Sequence, residues 1–439
     1  MFQNSFFNTA KIILPKNIIT AFLLSSILFK IIASILFLID TQHAPMLEVY
    51  KFFSIPETLR QVSMLAIPST WPMPDIKSYT YDFSVVYAIS ANMNVISDKP
   101  LVMPDNILPY GPLAFVLFHL FSLIKIETAL AIYRTVSTIF LCAVVFFAAS
   151  RLSNRTTSRL AILAVSILVC TPFAIFVSSG NIEIFLFSTC LLVLLIKDKY
   201  PVTAAVLIGI CTAIKYYPVI FMLEFIKDRN FKAFALSLCV AITLFLLPFG
   251  FFHGGFLANL KFTFDQISQA SRLCYDNAAQ FCTAGGLSMG EFFYNLGLPL
   301  WIENALYKLT SFFIVITGIW SYVQIKSRPL SIMVLITVVC LIPQVSVFYK
   351  LAYLMIPILL SDQHEKSSTH NVIAMLVALC VSPLPFYWAL NFSGLRADFS
   401  FLVFTIHVTL VVYALRYRFN LSKVEARMRH CILTFKTVK

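Results

Sequence analysis

Charge is scarce in this sequence. Only 12% of its 439 residues are Asp, Glu, Lys or Arg, while 59% are hydrophobic and the mean hydropathy is +0.85. Globular domains carry about 25% charged residues, so a soluble fold is excluded. The familiar local signatures of chemistry are missing as well. There is no phosphate-cradling glycine loop, no zincin helix, no nucleophile elbow and no dinucleotide fingerprint. No cysteine and histidine spacing resembles a zinc site, and neither an internal repeat nor a low-complexity segment is present. Acids are few, 20 against 33 Lys and Arg, which leaves a net charge of +13. That excess does not indicate nucleic acid, because it sits in short clusters between apolar runs: "RLSNRTTSR", "KDK", "KDRNFK", "KSR" and the tail "RYRFNLSKVEARMRH". Basic loops between apolar segments are what the positive-inside rule produces.

The apolar runs themselves are long, and spanning hydrocarbon takes roughly 20 helical residues. The chain therefore reads as one all-α polytopic membrane domain over 1–439. Helices are expected at 18–39, 129–150, 159–177, 181–196, 201–214, 232–252, 304–325, 329–345, 348–360, 371–390 and 398–415. Runs 110–124 and 216–226 are shorter and ambiguous, so the expected total is roughly 11–13 membrane helices. The first apolar stretch is too long for a signal-peptide core and is read as a retained helix. Two polar stretches, 40–109 and 253–303, are too long for simple connections, and loops of that length are usually functional. Of the ten cysteines only Cys274 and Cys282 share a polar loop. A disulfide or two free thiols both fit there.

Lysine and arginine placement orients the chain. Lys11 and Lys16 put the amino terminus in the cytoplasm, together with "KSR" and the basic tail 416–439. Both long loops then fall outside. Arg151, Arg155, Arg159, Lys197 and Lys199 join the cytoplasmic side only if 110–124 is re-entrant or interfacial, and that reading is preferred. It gathers "YGP" (110–112), "SSGNIE" (178–183) and "IKYYP" (214–218) on the outer side with the loops. Polar, helix-breaking segments at membrane depth are tolerated only in protein or along a cavity. An outward-facing cavity is the consequence.

Asp82, in "SYTYDFSVVYAIS", stands out among three tyrosines and a phenylalanine. It precedes a short amphipathic stretch that suits the membrane interface. As an N-cap it would accept amide hydrogens; as a general base it would face the cavity. The two roles are compatible. Asp75 shares the loop after two prolines, and Asp40, Asp98 and Asp105 read as solvated. Glu183 begins an apolar helix, either as a first-turn acid matched to the helix dipole or as a functional group at membrane depth. Lys215 follows a long apolar run and precedes "YYP". Snorkelling is one account of it; contact with a phosphate is the favoured one. Lys350, in "VFYKLAYLMIP", is a second such cation, with Arg134, Arg272 and His253 weaker candidates and Lys30 without a role. Carboxylates and lysines in a lipid-accessible cavity suit a lipid-linked anionic substrate whose reaction needs one base.

Three strings, "NILPYGPLAFVLFHLF", "SSGNIEIFLFSTCLLVLL" and "LIGICTAIKYYPVIFMLEFIKDRNFK", resemble glycosyltransferase family 87 across roughly residues 78–250. The resemblance implies a GT-C-type fold with two long extracytoplasmic loops and an inverting transfer from a polyprenyl-phosphate sugar, most simply mannose, in the inner membrane. It places Asp82 as catalytic base and Lys215 at the donor phosphate; Tyr110, Asn181, Glu183, Lys350, Arg272 and His253 are read beside them as substrate contacts. The sequence departs from the family at Gly111, where the first proline of a Tyr-Pro-Pro start is usual, and at Asn181, where Gln is common. No cofactor is expected, although Glu183 leaves room for a divalent metal of the kind related enzymes hold on an acidic pair. The expected partners are the donor, a lipid- or glycan-linked acceptor and membrane lipid, with no nucleic acid, around a monomer. A transporter or flippase of a lipid-linked sugar is the alternative from another class.

Overall fold

The computed structural model describes residues 110–152, 180–250, 255–261, 263–265, 289–296, 298–343, 348–360 and 399–419, with 156, 158 and 173 singly. Asp82, His253, Arg272, Cys274, Cys282 and the expected helices 18–39, 159–177 (Phe173 apart) and 371–390 lie outside the described residues. The described residues form helices and no strand. In chain order these are α1 (Pro112–Ser122), α2 (Ile126–Leu152), α3 (Glu183–Ile196), α4 (Pro201–Ile214), α5 (Leu223–Lys227), α6 (Phe231–Leu246), α7 (Met289–Asn295), α8 (Leu300–Gln324), α9 (Arg328–Leu341), α10 (Met355–Leu360) and α11 (Phe399–Phe419). Short 3-10 turns cover Tyr217–Met222, Leu247–Gly250 and Phe348–Leu354.

The boundaries follow local chemistry. Proline opens α1 and α4 and stands second in α9, where its missing N–H would be unpaired anyway. Asn230 caps α6 by accepting from Ala233 N at 3.1 Å, which follows a left-handed Arg229 at φ 58°. The ambiguous run 216–226 resolves into a 3-10 turn and the five-residue α5. The second long stretch is shorter than expected: α8 starts at Leu300 behind Pro299, and α7 lies within 253–303.

Among the described residues three stretches are long and apolar enough to cross a membrane, Thr128–Arg151, Phe231–Gly250 and Leu300–Gln324. Their most apolar windows are only 33%, 28% and 22% buried within the protein. Outward-facing Val136, Ile139, Ile242, Phe312, Phe313 and Ile319 form the surface that lipid would cover. By contrast α3 and α9 are buried nearly all round, the mark of helices in the centre of a bundle. Helices in lipid gain little from hydrophobic burial against one another and depend on close packing. The most extensive contact, α4 on α6, shows it: a Cβ on Gly209 would stand 2.8 Å from Ser237 O and from Val240. Gly209→Leu is therefore expected to separate α4 from α6, lowering the detergent-solubilised melting temperature and the folded yield. An unchanged melting curve would show that the helices can part without penalty.

The two ends of the bundle differ. At one end Lys197 meets Glu224 at 3.2 Å and also Asp228, while Arg328 reaches Asp198 at 3.2 Å and Glu224 at 3.6 Å. Tyr322 donates to Glu224 at 2.8 Å, and Lys227 donates to the Ile325 carbonyl at 3.0 Å at the end of α8. Arg151 donates to Leu195 O at 2.6 Å. The basic clusters "KDK", "KDRNFK" and "KSR" thus share one end with Arg151, as the charge pattern predicts. At the other end lies the start of α1. Gly111 N donates to Ile214 O at 2.7 Å, and Phe121 packs against Tyr133, whose hydroxyl donates to Asn181 O at 3.3 Å. The start of α1 is thus tied to the end of α4, and its last turn packs against α2.

Candidate active site

The chain opens α3 with a left-handed Gly180 at φ 61°, a conformation that glycine adopts without steric cost. Asn181 follows, and its Oδ1 accepts from Glu183 N at 3.0 Å. This side-chain oxygen serves the helix start, so Asn181 has a structural task that the substrate-contact expectation did not include. Glu183 is delivered inward as the first helical residue and is fully buried.

Lys215 approaches from α4. The helix stops at Ile214, and Lys215 is extended at φ −141°, ψ 143°, which turns the chain toward the 3-10 run that contains Pro218. Its Nζ lies 2.6 Å from Glu183 Oε1 and 4.5 Å above the Tyr110 ring. Both side chains of the pair are at least 95% buried. The sequence reading has Lys215 meeting a phosphate; the structure shows it in a buried ion pair with Glu183.

Two tyrosines complete the carboxylate's surroundings. Tyr217 and Tyr353 both donate to Glu183 Oε2, the latter at 2.9 Å, and their hydroxyls are 2.7 Å apart. Sequence reasoning missed both. Tyr217 stood in the quoted "IKYYP", and Tyr353 lies one helical turn after Lys350, a spacing that places them on one face. Lys350 is 94% buried, with its Nζ 5.0 Å from the centre of the Tyr217 ring. Among the described residues its ammonium has neither a hydrogen-bond acceptor nor a salt-bridge partner.

The structure thus brings together Tyr110, Asn181, Glu183, Lys215 and Lys350, five of the eight expected site residues. Gly111 explains one departure from the family pattern. A proline there would lack the N–H that binds Ile214 O, and a Cβ would collide with the Ala213 carbonyl. Among the described residues no group of three His, Cys, Asp or Glu side chains could hold a metal ion. A metal at Glu183 would have to displace the Lys215 ammonium. What the described residues assemble is a buried cluster of one carboxylate, two ammonium groups and two hydroxyls.

Comparison with known families finds a match to glycosyltransferase family 87 over residues 108–383, well over half the chain. The match includes all five assembled residues and begins after Asp82. No curated protein and no solved structure matches significantly.

Proposed function

The chain belongs to glycosyltransferase family 87, and from that premise we propose that it moves a mannosyl group from a polyprenyl-phosphate carrier to a lipid- or glycan-linked acceptor. Membership makes it a glycosyltransferase with membrane helices. The donor class, the sugar and the extracytoplasmic side are this proposal. The observation that carries it is the buried Lys350 ammonium, set over the Tyr217 ring beside the Glu183–Lys215 pair, at the end opposite the basic loops. Ionisable groups at membrane depth are expensive and usually mark a substrate path. A phosphate at the head of a lipid matches that depth and that charge.

In the reaction the acceptor oxygen attacks the anomeric carbon from the face opposite the phosphate. A new carbon–oxygen bond forms as the bond to the phosphate oxygen breaks, and the configuration inverts. The leaving polyprenyl phosphate takes the electron pair, and Lys350 stabilises its developing charge. Asp82 takes the acceptor proton. Lysines supply the positive charge in this scheme, so it assigns no metal a role. The chain acts as a monomer in the inner membrane, with both termini cytoplasmic. A lipid-linked sugar transporter, the alternative, accounts for the same cations but not for the family.

The test is transfer from radiolabelled polyprenyl-phosphate mannose to acceptors in vesicles that carry the protein, against nucleotide-linked mannose as control donor. Label moving from the lipid donor alone supports the proposal. Label moving only from the nucleotide donor would overturn the donor class. Lipid donor crossing the vesicle unhydrolysed would favour transport.

A further inference from the structure

Resting on the lipid-phosphate reading above, we infer that Tyr217 is a positioning residue for Lys350, its ring seating the ammonium that meets the phosphate. The Lys350 Nζ lies over the Tyr217 ring, 5.0 Å from its centre. That is within the roughly 6 Å reach of a cation–π contact, which is stronger for a desolvated cation, and Lys350 is buried. Such a seat has a property that a carboxylate lacks. It fixes the ammonium in place without neutralising it, so the charge stays available to a headgroup. Glu183 also attracts Lys350. A point charge attracts from every direction, however, whereas a ring attracts a cation over its face.

The ring is itself fixed. Its hydroxyl bonds Glu183 Oε2 and the Tyr353 hydroxyl, and the Tyr353 ring meets it at 90°, with centres 5.7 Å apart. Tyr353 and Lys350 come from one 3-10 turn, Phe348–Leu354, so that turn grips Tyr217 through both side chains. Pro218 follows Tyr217 in its own 3-10 turn, and its locked φ stiffens the backbone there. The hydroxyl aims the ring, and the ring aims the lysine. Tyr217 thus acts on the phosphate through Lys350 and need not touch the reacting atoms.

The experiment measures the Kd of farnesyl phosphate for the purified full-length chain in nanodiscs. Tyr217→Phe keeps the ring, and Glu183 keeps Lys215 at 2.6 Å and Tyr353 at 2.9 Å. Its affinity should stay within about threefold of the wild type, since the aromatic face is retained. Tyr217→Leu removes the face and should weaken binding about tenfold or more, the worth of a desolvated cation–π contact. In a Lys350→Met background the same Tyr217→Leu change should be silent within about threefold, because the ring then has no cation to seat. A side chain that only fills space would weaken binding by the same factor in both backgrounds. Tyr217 is partly exposed, so losing its ring leaves no sealed cavity. Should Tyr217→Leu fail to fold, or Lys350→Met bind too weakly to compare, trifluorophenylalanine at position 217 decides. Fluorine drains the negative face of the ring and barely alters its size, so binding about tenfold weaker than that of Tyr217→Phe is expected. Equal losses in both backgrounds, or no loss on fluorination, would overturn the inference while leaving the lipid-phosphate reading standing. A Lys350→Met variant that binds as the wild type does, or a wild type that binds no farnesyl phosphate, would overturn both.

Discussion

Asp82→Asn is expected to lower the rate of sugar transfer about 100- to 10,000-fold, the range typical for removing a positioned general base. Asparagine keeps the size and the hydrogen-bonding oxygen, so an N-cap role would survive with a loss of at most a few tenths of a kcal/mol. The substitution therefore separates the two roles that the sequence allows. If Asp82 is the base, kcat collapses while KM for the lipid donor holds, because the carboxylate acts on the acceptor proton and not on the phosphate. Matched expression and transfer within about threefold of wild type would remove Asp82 as the base and turn attention to Asp75. Glu183 is a poor substitute base, since Lys215, Tyr217 and Tyr353 already occupy its oxygens.

Lys350→Met is the second large effect, and its signature is a pair of opposite signs. Losing a preorganised cation at the departing phosphate should cost about 100- to 1,000-fold in kcat. The folded protein, however, loses a buried ammonium that no described residue accepts, and methionine fills nearly the same volume. Its melting temperature should therefore equal or exceed that of the wild type. A lysine whose task was structural would behave the other way, with stability falling along with activity. An active, destabilised variant would sink the assignment. Lys350→Arg is a further probe. It keeps the charge but replaces a point-like donor with a planar fork, so partial activity with intact binding is expected.

Much of this arrangement was legible in the sequence. The helix at 201–214 is bounded by Pro201 on one side and the polar break at Lys215 on the other, and the structure places it at those residues. Glu183, Lys215 and Lys350 were each conspicuous because an ionisable group amid long apolar runs needs a reason to be there. What could not be read is which of them meet. Glu183 and Lys215 lie 32 residues apart, and Glu183 and Tyr353 lie 170 apart; hydropathy carries no information about such pairs. Tyr217 and Tyr353 stayed hidden for a related reason. A tyrosine in a membrane segment is unremarkable by composition, and only its hydroxyl's target gives it a role. The sequence reading starts α8 late, at Asn304, because Glu303 reads as loop, whereas Glu303 is 96% buried in the helix's first turn. Asp82 lies outside both the described residues and the family match, so its assignment stands on the sequence and awaits the transfer assay.

The charged network at the far end of the bundle has a mechanical consequence. Three cations, Lys197, Lys227 and Arg328, are matched there by three acids, Asp198, Glu224 and Asp228, across the ends of α3, α5, α8 and α9. Breaking a fully buried pair costs about 3–5 kcal/mol, and helix α3 has one at each end, Glu183–Lys215 at its start and Lys197–Glu224 just past its finish. It is therefore clamped twice, as a rung is fixed in both rails of a ladder.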